Sequence, residues 1–241
     1  MAMLIYGHRG ARGEAPENTL ASFQACLAAG VNRCELDLRL SKDGQLMVIH
    51  DATLQRTTGQ RGTVSQLTAA QLQRIDARQA MPNWPGPCPI PTLAQLFAQC
   101  SFAHWQLEVK PTTTAHTITI MQALDQLSAR FGLHDKITLT SNSRRILATA
   151  QQLAPHLARG FIAEHAWLNP IKSAQRYGCS LLALKYRLAT PERIRAAQRE
   201  GMHVSVWTVN EPAQMRRLVA YGADSLITDF PGLAIASLGN H

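Results

Sequence analysis

The chain has 241 residues, 46% of them hydrophobic and 17% charged. That composition excludes a disordered chain and leaves room for one large single-core domain or two small ones. The formal net charge is +8, but the basic residues are scattered and do not interleave with aromatics, so no nucleic-acid arm is expected and the diffuse field suits small anionic substrates.

No apolar run reaches the length of a membrane span. The opening Met1–Tyr6 is too short and lacks the basic leader of a signal peptide, and it reads better as a first strand. The five cysteines (Cys26, Cys34, Cys88, Cys100 and Cys179) are odd in number and show no metal-ligand spacing. They are expected to be reduced thiols of a cytoplasmic protein.

In chain order, short runs rich in β-formers alternate with amphipathic helical segments. Strands are predicted at Met3–Gly7, Arg33–Arg39, Gln106–Lys110, Lys136–Thr140, Leu157–Ile162, Ser180–Lys185, His203–Thr208 and Asp224–Ile227. Helices are predicted at Thr19–Ala29 (capped by Asn18, with Gly30 just past its end), Thr114–Arg130, Ser143–Leu153, Pro191–Arg199 and Glu211–Ala220. Alternating strands and helices imply a parallel sheet, and eight such units in this length match a closed TIM (β/α)8 barrel, an α/β fold. A doubly wound open sheet is the competitor. It calls for a glycine-rich phosphate loop after the first strand, and Gly7-His8-Arg9-Gly10 is not G-x-G-x-x-G.

One segment breaks the alternation. Ser41 to Cys100 opens on the turn Lys42-Asp43-Gly44, and the apolar Leu46–Ile49 then delivers His50-Asp51. A capping box at Thr68/Gln71 starts a short helix, prolines at 82, 85, 87, 89 and 91 forbid regular structure, and a second box at Thr92/Gln95 starts the helix before the third barrel strand. The insertion leaves the carboxyl end of a barrel strand, so it is expected to wall or cover the site within one domain.

The candidate chemistry sits on two strand ends. In an extended strand alternate side chains share a face, which places Glu35, Asp37 and Arg39 on one side of their strand and Gln106, Glu108 and Lys110 on one side of theirs. Three acids on interior strands would be costly without a partner, and three oxygen donors suit one hard divalent cation, Mg²⁺ or Ca²⁺. His8 and His50 each follow a strand and point toward these acids. Two imidazoles titrating near neutrality can take one proton and give another. Asp51 stands beside His50, but adjacent side chains diverge in extended chain.

His8-Arg9-Gly10, Pro16-Glu17-Asn18-Thr19, Glu35-Leu36-Asp37, Ser41-Lys42-Asp43-Gly44, His50-Asp51, Glu108-Val109-Lys110-Pro111, Val206-Trp207-Thr208-Val209-Asn210 and Thr228-Asp229 occur in the order and spacing of a known family. Across its whole length the chain resembles the glycerophosphodiester phosphodiesterases, most closely their small cytosolic bacterial members. The resemblance implies a TIM barrel that hydrolyses glycerophosphodiesters to glycerol 3-phosphate and an alcohol. It implies a divalent cation held by Glu35, Asp37 and Glu108, with His8 and His50 as the acid–base pair. Arg9 and Lys110 are expected to neutralise the phosphate, Lys185 to reach the phosphate or glycerol, and Trp207 to line the pocket. The partner is then a small glycerophosphodiester, with neither nucleic acid nor stable membrane association, and a homo-oligomer is left open. The remaining histidines (104, 116, 134, 156, 165, 203 and 241) are read as surface or packing residues.

One departure concerns specificity. After the fourth strand the family usually shows two serines and a phenylalanine, where this chain has Thr140-Ser141-Asn142. The catalytic set is untouched, but an apolar wall becomes an amide. Two other readings stay open: a lysophospholipase D, which needs an apolar acyl channel, and a non-catalytic phosphate-binding barrel, which predicts lost catalytic residues.

Overall fold

The structure is a computed structural model that describes residues 3–165 and 169–239; His241 lies outside them. Strand β1 (Leu4–His8) is followed by helix α1 (Leu20–Ala28) and strand β2 (Arg33–Leu40). The inserted segment holds β3 (Leu46–Val48), the single-turn helices α2 (Gln55–Thr58) and α3 (Ala69–Leu72), and α4 (Leu93–Gln99). The alternation then resumes with β4 (His104–Val109), α5 (Thr114–Phe131), β5 (Ile137–Ser141), α6 (Arg144–Leu153), β6 (Ala158–Ala163), α7 (Pro170–Arg176), β7 (Leu181–Lys185), α8 (Pro191–Arg199), β8 (His203–Trp207), α9 (Pro212–Tyr221), β9 (Ser225–Thr228) and α10 (Pro231–Leu238).

Eight of these strands run parallel, and the pairing of β1 with both β9 and β2 closes the sheet into a (β/α)8 barrel. The ninth, β3, is an antiparallel hairpin partner of β2, with Leu38 opposite Val48 and Leu40 opposite Leu46. All eight predicted barrel strands are present, shifted by a residue or two at their ends.

Strand alternation decides the layers. Cys34, Leu36, Leu38, Leu107 and Val109 are fully buried against the helices, together with Trp105. Trp105 packs edge-on to Phe97 and Phe102, with ring centroids 5.1 and 4.8 Å apart. The opposite faces of the same strands turn into the barrel, whose interior is unusually polar. Near its floor Tyr6 Oη and Thr138 Oγ1 bracket His104 at 3.1 and 3.2 Å, and His203 Nε2 meets Ser225 Oγ at 2.8 Å. Burial drives His104 down to about 4, with Arg33 and His203 adding repulsion.

Both predicted capping boxes form, at Thr68/Gln71 and Thr92/Gln95. The cap of α1 differs from expectation: Thr19 is the N-cap, accepting from the Ser22 amide, and Asn18 sits one residue before it at φ +57°. Asn18 takes that left-handed conformation, which asparagine tolerates better than most residues, and its amide is used elsewhere, on Asp37. The inserted segment has a small core of its own, built from Met47, Ile49, Leu54, Val64, Leu72 and Ile90 among others. No helix among the described residues is long and apolar enough to cross a membrane.

Candidate active site

Strand register assembles the site. His8 lies opposite Glu35 in the β1–β2 pair, and Asp37 lies opposite Glu108 in the β2–β4 pair. These pairings bring three carboxylates to the carboxyl end of the barrel, with ligand atoms from Glu35, Asp37 and Glu108 all within 4.8 Å of one another. The turn after β1 reaches this point because Gly10 adopts φ +84°, where a Cβ would stand 2.5 Å from Ser22 Oγ. That hydroxyl is occupied in fixing the turn, donating to Arg9 O and accepting from Ala11 N at 2.8 Å each.

The three acids are unequal: Glu35 and Asp37 are buried and Glu108 is partly exposed. Burial and repulsion from Asp37 and Glu108 push Glu35 well above the ordinary carboxylate range. Burial also raises Glu108, although Lys110 opposes it. Burial works against Asp37 as well, but Arg9 and Lys110 outweigh it and hold this carboxyl well below its usual range. Arg9 Nε lies 3.0 Å from Asp37 Oδ2, and Lys110 Nζ lies 2.8 Å from Asp37 Oδ1 and 2.7 Å from Glu108 Oε1. Asn18 Nδ2 donates to Asp37 Oδ2 at 2.8 Å.

The donor set fits a hard dication. Asp37 Oδ1 is buried and has no hydrogen bond of regular geometry, since the nearby ammonium lies off-angle. Among the described residues Glu35 has only the Arg9 backbone amide, at 3.2 Å, as a hydrogen-bond donor. Oxygen lone pairs left in this condition are what Mg²⁺ or Ca²⁺ requires of a protein.

Each catalytic candidate is held by its own carboxylate. His8 Nδ1 is 2.6 Å from Asp229 Oδ1, leaving Nε2 directed at the acids, 3.8 Å from Glu35 Oε2. His50 Nδ1 is 2.6 Å from Asp51 Oδ1. The two neighbours meet because β3 stops at Val48 and the chain bends through His50 and Asp51, so the divergence expected of extended chain does not apply. Burial lowers both imidazoles; the Asp229 contact partly restores His8, and the Asp37 charge, followed by the Asp51 contact, partly restores His50.

A cavity of about 370 Å³ opens over these groups, and Arg9, Lys110, Lys185 and Trp207 all line it. Lys185 and Trp207 are register partners on β7 and β8, with Lys185 Nζ 6.0 Å from the indole centroid. Arg9 is less free than its fork suggested: its guanidinium is engaged by Glu17 as well as Asp37, Nη1 to Oε1 being 2.8 Å. Asn142 stays outside the lining and donates to Glu164 Oε1 at 3.1 Å; Glu164 is the residue that faces the cavity.

Several functional groups had no role assigned from sequence. Glu17 gathers Arg9, Arg12 and Arg56, with Arg56 also donating to Asp51 Oδ2 at 2.6 Å. Burial opposes ionisation of Glu17, but Arg56 and Arg9 prevail and hold it at about 2. Asp229 and Glu17 both lie in short motifs matched to the family, which was the available signal. Arg12 and Glu164 carried none.

The mouth of the closed barrel thus gathers three carboxylates, two imidazoles and flanking Arg and Lys side chains, an arrangement suited to a phosphate ester. Residues 8–233 match the glycerophosphoryl diester phosphodiesterase family. A glycerophosphodiester phosphodiesterase of Bacillus altitudinis is 30% identical over 240 residues, covering 96% of each chain. Among solved structures, an Oleispira antarctica phosphodiesterase in complex with its product sn-glycerol-3-phosphate is 25% identical with a TM-score of 0.89, covering 98% of this chain and 96% of that one. The glycerophosphodiester phosphodiesterase of Agrobacterium tumefaciens is 26% identical with a TM-score of 0.82, covering 97% of this chain and 99% of that one. The chain belongs to the glycerophosphoryl diester phosphodiesterase family and is a phosphoric diester hydrolase.

Proposed function

We propose that the enzyme hydrolyses small glycerophosphodiesters to sn-glycerol 3-phosphate and an alcohol, with one divalent cation on Glu35, Asp37 and Glu108 and with His8 and His50 as base and acid. The observation that carries this reading is the meeting of three clustered carboxylates with two imidazoles, each imidazole anchored at Nδ1 by its own aspartate. The product complex of the Oleispira antarctica relative supports the substrate class. When bound, the cation would neutralise charge building on the non-bridging phosphate oxygens.

The chain's own groups supply the rest. Asp229 fixes the proton of His8 on Nδ1, so Nε2 is free to take the proton of the attacking hydroxyl. The middle hydroxyl of glycerol is the nucleophile favoured by proximity; its attack forms a cyclic phosphate and expels the alkoxide, which takes the Nε2 proton of His50 in its protonated, imidazolium form. Water then opens the ring, with the two histidines exchanging roles. Lys110 and Arg9 hold cationic charge beside the phosphate, and Lys185 and Trp207 form the opposite wall. The inserted segment walls the alcohol side and brings His50 with it. A rim carrying Arg12, Glu164 and Lys185 suits a water-soluble diester and not an acyl chain, which weighs against the lysophospholipase D reading.

The test is release of glycerol 3-phosphate from glycerophosphocholine and glycerophosphoethanolamine, before and after verified metal removal. Turnover is expected to vanish with chelation and return with Mg²⁺ or Ca²⁺, and Glu35→Gln is expected to demand far more cation. Full activity in excess chelator overturns the metal assignment.

A further inference from the structure

A second group of metal-ligating side chains lies at the opposite end of the barrel from the mouth. Asp125 projects from α5, His134 from the single turn His134–Lys136 that precedes β5, and His156 from the loop between α6 and β6. Each offers a ligand atom, and the three atoms lie within 4.8 Å of one another. His156 Nε2 is already 2.7 Å from Asp125 Oδ1, and the imidazole rings of His134 and His156 stack with centroids 5.2 Å apart. His134 Nε2 is buried and has no hydrogen-bond partner among the described residues. A buried ring nitrogen without a partner is costly, and His134 belongs to a cluster with two further metal-ligating side chains.

We propose that Asp125, His134 and His156 form a second metal site that binds a borderline transition-metal dication such as Zn²⁺. Donor chemistry selects the ion: two imidazoles and one carboxylate suit Zn²⁺, whereas the all-oxygen set at the mouth suits Mg²⁺ or Ca²⁺. Ligand atoms around one tetrahedral Zn²⁺ stand about 3.3 Å apart. His156 and Asp125 are half-exposed, so closing the remaining gap falls to rotation of these two side chains. Water completes the coordination from the solvent side. Such an ion ties α5 to the two loops that enter β5 and β6, on the face of the barrel where fold stability, not catalysis, is set. The site is independent of the reaction at the mouth.

The experiment is equilibrium dialysis of the intact protein against Zn²⁺ with Mg²⁺ in large excess, followed by metal analysis and a thermal melt. The native protein is expected to retain one more equivalent of Zn²⁺ than the His134→Ala/His156→Ala variant. Its Zn²⁺-induced rise in Tm is expected to disappear in that variant, while Mg²⁺-supported hydrolysis of glycerophosphodiesters, assayed without Zn²⁺, is unchanged. The single variant His156→Ala, at a half-exposed position, is expected to bind the ion more than about a hundredfold more weakly, and it serves if the double variant fails to fold. Equal Zn²⁺ stoichiometry and affinity in native and variant protein, or an unchanged Tm response, overturns the proposal.

Discussion

Asp229→Asn tests whether His8 works through a fixed tautomer. In the native site Asn210 Oδ1 accepts from the Asp229 backbone amide at 2.9 Å and from Thr228 Oγ1 at 3.2 Å. Its Nδ2 must therefore face Asp229 Oδ2, which it does at 2.8 Å. An asparagine at 229 is forced to put its carbonyl oxygen on that amine and its own NH₂ toward His8 Nδ1. The imidazole then carries its proton on Nε2, the nitrogen that has to be empty to act as base. The shape of the site is preserved, so the loss is chemical, and wrong-tautomer histidines lose about 10³–10⁴-fold. That corresponds to about 4–5.5 kcal/mol of transition-state stabilisation. The assay is kcat/KM for glycerophosphoethanolamine at saturating Mg²⁺, with Tm as the control for folding. Removing the anionic partner also lowers His8 further, moving the acid limb of the pH profile to lower pH. Adding Asn210→Ala frees the new amide to turn and is expected to recover at least tenfold of the loss. A single Asp229→Asn variant within tenfold of the native rate refutes the reasoning.

His50→Ala is expected to cripple hydrolysis of natural glycerophosphodiesters yet largely spare a p-nitrophenyl diester, because general acid help of about 10²–10⁴-fold matters only for poor leaving groups; His8→Ala is expected to damage both, and the kcat/KM ratio decides. Two windows of acid sensitivity are expected in the pH dependence of unfolding. His104, held near 4 against an ordinary 6.5, is protonated first in the unfolded chain, so its contribution is intact above 6.5 and lost between 6.5 and 4. Glu17, held near 2 against 4.5, acts likewise between 4.5 and 2, and each is worth on the order of 2–3 kcal/mol. His104→Gln is expected to reduce the slope in the upper window, to which His8 and His50 also contribute, and Glu17→Gln the slope in the lower; unchanged slopes refute the two assignments. Trp105→Ala is expected to cost about 3–5 kcal/mol in urea unfolding. Trp105→Phe is expected to cost far less, because the indole N–H it removes is buried without a partner among the described residues.

The sequence by itself determined the alternation of elements, and with it the barrel. Period-2 patterning in Arg33–Leu40 and His104–Val109 already separates leucines from acids, because an extended backbone leaves side chains no other choice. It determined as well that Glu35, Asp37 and Glu108 share the barrel's interior and that His8 and His50 end strands beside them. What it could not determine is register and the long-range partners that register brings. That His8 stands opposite Glu35, and Asp37 opposite Glu108, follows from how strands far apart in the chain pair. Asp229 reaches His8 only because the last strand closes on the first. Local rules also failed where a tertiary demand overrode them: Asn18 gave up the helix cap to Thr19 because Asp37 needs its amide, and Asp51 met His50 because the chain bends where a strand was the simpler expectation. Propensity acts between neighbours in sequence, whereas the site is made of neighbours in space. For that reason the donors were legible one by one, and the pairs that orient them were decided by the closed barrel.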